Sequence, residues 1–441
     1  MNPLRHLSFG SLRHALSSLF HDLPDRRQQS KVDYPLHDAL MSGFACMFFQ
    51  DPSLLQFQKR LEEDQHGNNL RTLFGVHEVP ESTQMRTVID QVDRASFRPI
   101  FPTYLSRLQE GKHLDQFELF PGLYLCPIDG TQYFSSQHID CPNCLTTKHR
   151  NGKTTYSHKV LQAGIMHPSM RQVIPLMPEE ISNRDGQTKQ DCEVNAAKRL
   201  LPKIRQDYPD LGIVIAGDSL FSKQPFILDI GSANMHYILV AKPTDHIYMM
   251  AWLEADGVSR MQEKHSVDDQ GHRHIYTWLN DIPLNGQKDT VRVNYIDYRM
   301  IARDQDGMER IIYHNSWVTD LIITDENVEI LARGGRCRWK VENEGFNTLK
   351  NQGYYIDHNY GHGSSHLCFN FYVLTLLAFE FHQIFELTDS LYQDCRKKFG
   401  SKTHMWETLR SYIKILVFDT WDDLLDFAYT PSKYDLTIRP P

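Results

Sequence analysis

The 441-residue chain lacks a clean apolar run of membrane-spanning length. Its longest apolar stretch, residues 369–385, is interrupted by Asn370, Glu380 and His382, and the N-terminal MNPLRHLSFG has no leader-like apolar centre. Neither a membrane span nor secretion is expected. Cysteine is scarce, eight in 441 residues, which excludes a disulfide scaffold and points to a reducing cytoplasm where paired cysteines suit metal. Positive charge is not in excess either: 47 Lys and Arg stand against 55 Asp and Glu, for a net charge of −8. That balance argues against a protein that coats nucleic acid, but it leaves room for a local basic groove. Internal repeats and low-complexity linkers are absent. What is present, 41% hydrophobic and 23% charged residues, is enough for two or three folded domains.

Residues 1–120 read as helical. Asp33 and Pro35 precede a stripe of Leu36, Leu40, Phe44 and Phe48; Asp51 and Pro52 open a second with Leu54, Leu55, Phe57 and Leu61; Ser82 opens a third with Met85, Val88, Ile89 and Val92. Such a region is either a packing unit or a DNA-reading module. Residues 121–243 change to strands, GLYLCPIDG, TQYFSS, TYSHKVLQAGI and QVIPLMP, then a helix over 188–205 and the strands GIVIAGDSLF and HYILVAK. Residues 244–312 read as a β-rich insertion, with turn signals at Asp256-Gly257, Asp269-Gln270-Gly271 and Asp306-Gly307. The core resumes over 313–385 with SWVTDLIIT and a helix at 338–350, and 386–441 reads as helical. The pattern predicts a mixed α/β layer fold.

Three acids stand out. Asp129 closes an apolar strand ahead of a polar turn, and Asp218 repeats that arrangement after GIVIAG. On a helix at about 100° per residue, Arg338, Trp339, Glu342, Phe346, Leu349 and Lys350 share one stripe, which directs Glu342 inward. Glu344 lies about 200° away and faces elsewhere. The plain alternative is a solvated Arg338–Glu342 pair. The chemical alternative is that two strand-end aspartates and a helical glutamate converge on divalent cations, which take hard oxygen ligands.

In the order DGTQYFSS, AGDSLFSK, RCRWKVENEGFNTLK, the chain resembles the DDE-type transposases of bacterial insertion sequences over residues 33–385. The resemblance implies a ribonuclease-H-like core, interrupted by a β-rich insertion ahead of the Glu helix. It makes Asp129, Asp218 and Glu342 the acidic triad holding two Mg²⁺ (or Mn²⁺) ions. The family's Glu helix carries Tyr, two residues, Arg, three residues, Glu, six residues, Lys. Here Arg338 and Glu342 fit, the Tyr position is Gly335, and the lysine falls one residue late, at Lys350, with Glu344 as rival acid. The implied activity is cleavage at transposon ends and strand transfer into target DNA, by a homodimer or larger assembly in a bacterial cytoplasm. Arg338 and Lys350 would contact phosphate beside the metals, Arg333, Arg336 and Lys340 would continue a DNA-binding track, and Trp252 or Trp278 in the insertion would receive a flipped base. A nuclease or decayed element without strand transfer is the alternative enzyme. A zinc-containing DNA-binding regulator is the alternative without catalysis.

Cys141-Pro142-Asn143-Cys144 supplies two thiolates for a tetrahedral Zn²⁺. His138, His149 and His158 compete for the remaining positions, with His149 and His158 preferred. His358 and His362 follow the Glu helix closely enough to approach the acids, or are ordinary loop histidines; Cys126 reads as a small buried side chain.

Overall fold

The computed structural model describes residues 5–28, 32–63, 69–183, 190–304 and 307–434. Among them are twelve strands: β1 (Glu118–Phe120), β2 (Leu123–Ser136), β3 (Leu145–Lys148), β4 (Thr154–Ile165), β5 (Ile174–Pro175), β6 (Glu179–Ile181), β7 (Gly212–Gly217), β8 (His236–Val240), β9 (Gln262–Val267), β10 (Arg273–Pro283), β11 (Arg292–Arg303) and β12 (Glu309–Thr319). They form one sheet in the order β3-β4-β2-β7-β8-β12-β11-β10-β9, with β1 on β2, and β5 and β6 on β4. β2, β7 and β8 run parallel, and the remaining pairs are antiparallel. This is the expected mixed α/β class, a ribonuclease-H-like sheet with helical regions at both ends of the chain.

β7 is buried from Ile213 to Gly217, because a parallel strand covered on both faces needs a continuous apolar run. Helix Glu193–Asp207 packs on β2, β4 and β6, while Val328–Arg336 packs on β7 and β8. The expected helix start at Thr188 lies outside the described residues.

Three readings of the middle of the chain need correction. GLYLCPIDG and TQYFSS are one long strand, β2, so Asp129-Gly130 is mid-strand rather than at a turn. β4 keeps pairing with β2 beyond the last β7 contact, with Asp129 opposite Gln162 and Gly130 opposite Leu161, so the chain has no reason to turn there. The insertion joins the core sheet. Its strand β12 pairs with β8, Trp317 opposite Val240, and extends the sheet; the expected boundary at 312/313 falls inside that strand. The insertion also opens with helix, Ile247–Trp252 and a π-helical turn Leu253–Gly257, where Met249, Met250 and Ala251 favour helix over the expected Asp256-Gly257 turn. The turn between β9 and β10 forms as expected: Asp268 accepts from the Gln270 and His272 amides, and Gly271 takes φ 81°. The turn signal at Asp306 lies outside the described residues.

Helix Leu367–Thr388 is, among the described residues, the one helix long and apolar enough to cross a membrane, but 94% of its apolar window is buried inside the protein. It is a core helix, shared by both ends of the chain. Phe9 stacks on Trp421 at 5.3 Å, and Phe48 meets Trp406 at 5.6 Å and Phe381 at 6.0 Å. Asn69 donates to the Ile413 and Leu416 carbonyls. The described parts of 1–120 and 386–441 therefore fuse into one helical layer rather than two modules, and the 385/386 boundary lies within a helix. Leu36–Phe48 is buried along its whole length, so it has no face to offer a DNA groove.

Candidate functional site

β2 and β7 are in parallel register, Pro127 opposite Ala216. Two residues further on, Asp129 and Asp218 stand side by side, at the point where β7 ends and β2 continues with β4 alone. Asp218 starts the turn after β7, and its carboxylate accepts from the Leu220 amide at 2.9 Å. Asp129 accepts from its neighbour Gly130 at 2.9 Å and from Arg338 at 3.1 Å. Burial raises the Asp129 carboxyl above its ordinary value; Arg338 and the Gly130 amide oppose this, while Asp218 and Glu342 add to it. Glu342 is thus close enough for its charge to be felt at Asp129.

Glu342 does not arrive by the expected route. The chain is helical from Val328 to Arg336 and from Arg338 to Lys340, π-helical over Val341–Phe346, then α-helical over Asn347–Asn351. The π-turn breaks the α phase, so Trp339 and Glu342 are exposed instead of packing inward. It also accounts for the late lysine: a π-turn takes up one residue more than an α-turn, and Lys350 is late by one. Lys350 faces Asp357 at 3.9 Å. Gly335, where the resemblance places Tyr, lies against Trp317; a Cβ there would come within 2.5 Å of the indole. Glu344 lines another cavity, with Arg171, Glu386, Arg396 and Lys402.

A fourth acid was not legible in the sequence. Glu193, in the first turn of Glu193–Asp207, lays its carboxylate over Gly130, where a Cβ would collide with it. Burial raises the Glu193 carboxyl, and Asp129 and Asp218 add to the shift. A raised carboxyl destabilises the fold once pH rises through its folded titration, and costs nothing below the unfolded value. Glu193→Gln is therefore expected to raise the melting temperature of metal-free protein at pH 7, with the gain vanishing as pH falls into the carboxylate range. Calorimetry across pH checks this; a gain that persists at low pH would mean that packing, not charge, is responsible.

The basic residues divide. Arg338 touches Asp129 and lies 4.7 Å from the Trp339 ring. Arg333 donates to Ser169 and Lys340 to the Met170 carbonyl, on the segment after β4. Arg336 leaves the expected DNA track: it lies over Tyr313 at 4.5 Å and donates to the Tyr298 hydroxyl, because the phase of Val328–Arg336 turns it to the β-extension. Trp278 is buried and Trp252 is packed beside Arg260, so the exposed tryptophan near the acids is Trp339.

The chain matches no protein-family model and no curated protein.

Beyond Asp129, Cys141, Cys144, His158 and His362 converge, with ligand atoms all within 4.8 Å of one another, and could hold one metal ion. His149 is not among them. It sits at the β3–β4 turn, its amide donating to the Lys153 carbonyl and its ring paired with Thr155, facing solvent. His362 takes that place from 204 residues beyond His158. His138 is outside the cluster, His358 packs edge-on against Tyr360, and Cys126 is fully buried. Cys144, with His158 and His362, holds Cys141 down towards the thiolate against the effect of burial. Burial lowers His158, but Cys141 and Glu180 outweigh it and lift the imidazole to about 9.

Proposed function

We propose that this chain is a DDE-type DNA transposase that cleaves transposon ends and transfers the freed strand into target DNA. The observation that carries the reading is the arrangement of Asp129, Asp218 and Glu342 on two adjacent parallel strands and on the π-helical segment that packs against β2. The donor set fits Mg²⁺ or Mn²⁺: hard carboxylate oxygens, crowded by like charge, with Arg338 the cation paired to Asp129. Two such ions, when bound, supply charge neutralisation for the attacking and leaving oxygens of phosphoryl transfer.

The chain's own residues do the rest. Arg338, 3.1 Å from Asp129, can hand its guanidinium to a phosphate oxygen beside the acids. Trp339, 47% exposed, offers a stacking face for a base unpaired at the cleavage point. Arg333 and Lys340 continue the positive track along the segment after β4, which is how a chain of net charge −8 can bind DNA locally. Joining two transposon ends requires two such sites, so the working form is a homodimer or larger.

The test is incubation of the protein with a duplex carrying the element's own ends, plus Mg²⁺ or Mn²⁺ and a target plasmid. Cleaved ends together with joined product are expected. Cleavage without joined product would reduce the reading to a nuclease, and end binding without cleavage under either metal would leave a DNA-binding regulator.

A further inference from the structure

We infer that Cys141, Cys144, His158 and His362 form a structural Zn²⁺ centre that ties the strand carrying Asp129 to the chain that follows Glu342. The metal lies outside the acidic site, and the inference does not depend on any activity of the chain.

Five of the six ligand–ligand distances are those of a tetrahedral shell, and the sixth, between Cys141 and His362, is within 4.8 Å. Edges of a regular tetrahedron are about 1.63 times the metal–ligand bond, so Zn–S of about 2.3 Å and Zn–N of about 2.0–2.1 Å require edges of about 3.8 Å between sulfurs, about 3.6 Å from sulfur to nitrogen and about 3.3 Å between nitrogens. The Sγ atoms of Cys141 and Cys144 are 3.7 Å apart. His158 Nε2 lies 3.6 Å from Cys141 Sγ and 3.3 Å from Cys144 Sγ, and His362 Nε2 lies 3.5 Å from Cys144 Sγ and 3.1 Å from His158 Nε2. The sulfurs are too far apart for a disulfide, which needs about 2.05 Å.

The surroundings are built for the same purpose. Both histidines present Nε2 to the centre, and His362 Nδ1 donates to the Gly363 carbonyl at 2.9 Å, which fixes its tautomer. His158 Nδ1 faces Glu180 at 3.6 Å, and Glu180 is itself held by Arg94 at 2.6 Å and Tyr133 at 3.2 Å. The Phe134 ring covers His362 at 4.7 Å. Two thiolates and two neutral imidazoles also make the zinc complex electrically neutral, which suits a half-buried position.

The ligands come from three places in the chain. The cysteines sit on the turn between β2 and β3, closed by the Cys144 amide on the Cys141 carbonyl, His158 is on β4, and His362 lies between the Glu342 helical segment and Leu367–Thr388. One ion therefore cross-links segments that the sheet alone does not join.

The experiment is metal analysis of full-length protein after exhaustive dialysis, followed by replacement with Co²⁺. One zinc per chain is expected, with thiolate-to-cobalt charge transfer and the intense visible bands of a tetrahedral S₂N₂ site. Cys144→Ser and His362→Ala should lose the metal, while His149→Ala keeps it. His362 is a partly exposed loop residue, so its variant tests the ligand set without removing a core side chain. Metal-free protein, a Cys141–Cys144 disulfide by mass spectrometry, or loss of metal in His149→Ala but not in His362→Ala would each overturn the assignment.

Discussion

Asp129→Asn, Asp218→Asn and Glu342→Gln are each expected to lower Mg²⁺-dependent cleavage of an end-bearing duplex by about a thousandfold or more. Losing a hard oxygen ligand forfeits several kcal/mol of charge stabilisation, and about 1.36 kcal/mol is a factor of ten in rate. Folding should survive. Glu342 is exposed, Asp218 is half-buried with one amide contact, and asparagine at 129 keeps an oxygen for the Gly130 amide. Glu344→Gln should change the rate less than about threefold, because Glu344 lines the separate cavity with Arg171 and Lys402. Single-turnover cleavage by each purified variant, alongside DNA-binding titration, decides the matter. Activity retained in Glu342→Gln and lost in Glu344→Gln would move the third ligand and sink the assignment made here.

How far the sequence carried these conclusions depended on whether the deciding contacts were local. Asp218 was legible because a run of buried apolar residues must end on the first polar one, and β7 ends at Gly217. Asp129 follows the same logic, but its mid-strand setting does not, since the partner that keeps β2 extended is β4, and nothing in DGTQYFSS announces it. Glu342 is marked by the Arg338 spacing but its orientation is not, because a π-turn is not a matter of composition, and it rotates Trp339 and Glu342 away from the face that Phe346 and Leu349 keep buried. The same turn explains why the lysine spacing departs by one. Gly335 departs because Trp317, 0% exposed, already fills the volume a side chain would need. Glu193 and His362 carry no motif at all: each reaches its site through topology, across a helix in one instance and across 204 residues in the other. His149 competes with His158 in the sequence, yet the hairpin turn between β3 and β4 points its ring outward.

The largest stability loss away from the acids is expected at Asp90. Its carboxylate accepts the amides of Ser364, Ser365, His366 and Leu367 and the Ser364 hydroxyl, at 2.8 to 3.1 Å, which caps the start of the buried helix Leu367–Thr388 and fastens it to Ser82–Asp90. Asp90→Ala would leave those amides without an acceptor at a helix N-terminus, where orphan donors are costly, so a loss of about 3 kcal/mol or more is expected. Asp90→Asn should cost less, since one carboxamide oxygen remains. Burial pushes the Asp90 carboxyl up, but the amides of Ser364, Leu367, His366 and Ser365 together outweigh it and leave the group below its ordinary 3.8. A lowered carboxyl contributes stability above the unfolded value and loses it as pH falls through the folded one. The deficit of Asp90→Ala relative to the parent should therefore be full at pH 7 and shrink only below about pH 4, the opposite of the trend expected for Glu193→Gln. Urea unfolding of parent and variant at neutral and acid pH measures both. The same segment carries His362, so the helix cap at Asp90 and the Cys–His centre restrain one stretch of chain from two sides. Removing either should loosen the link between the Glu342 segment and the core helix, and removing both should cost more than the sum if the two restraints are coupled.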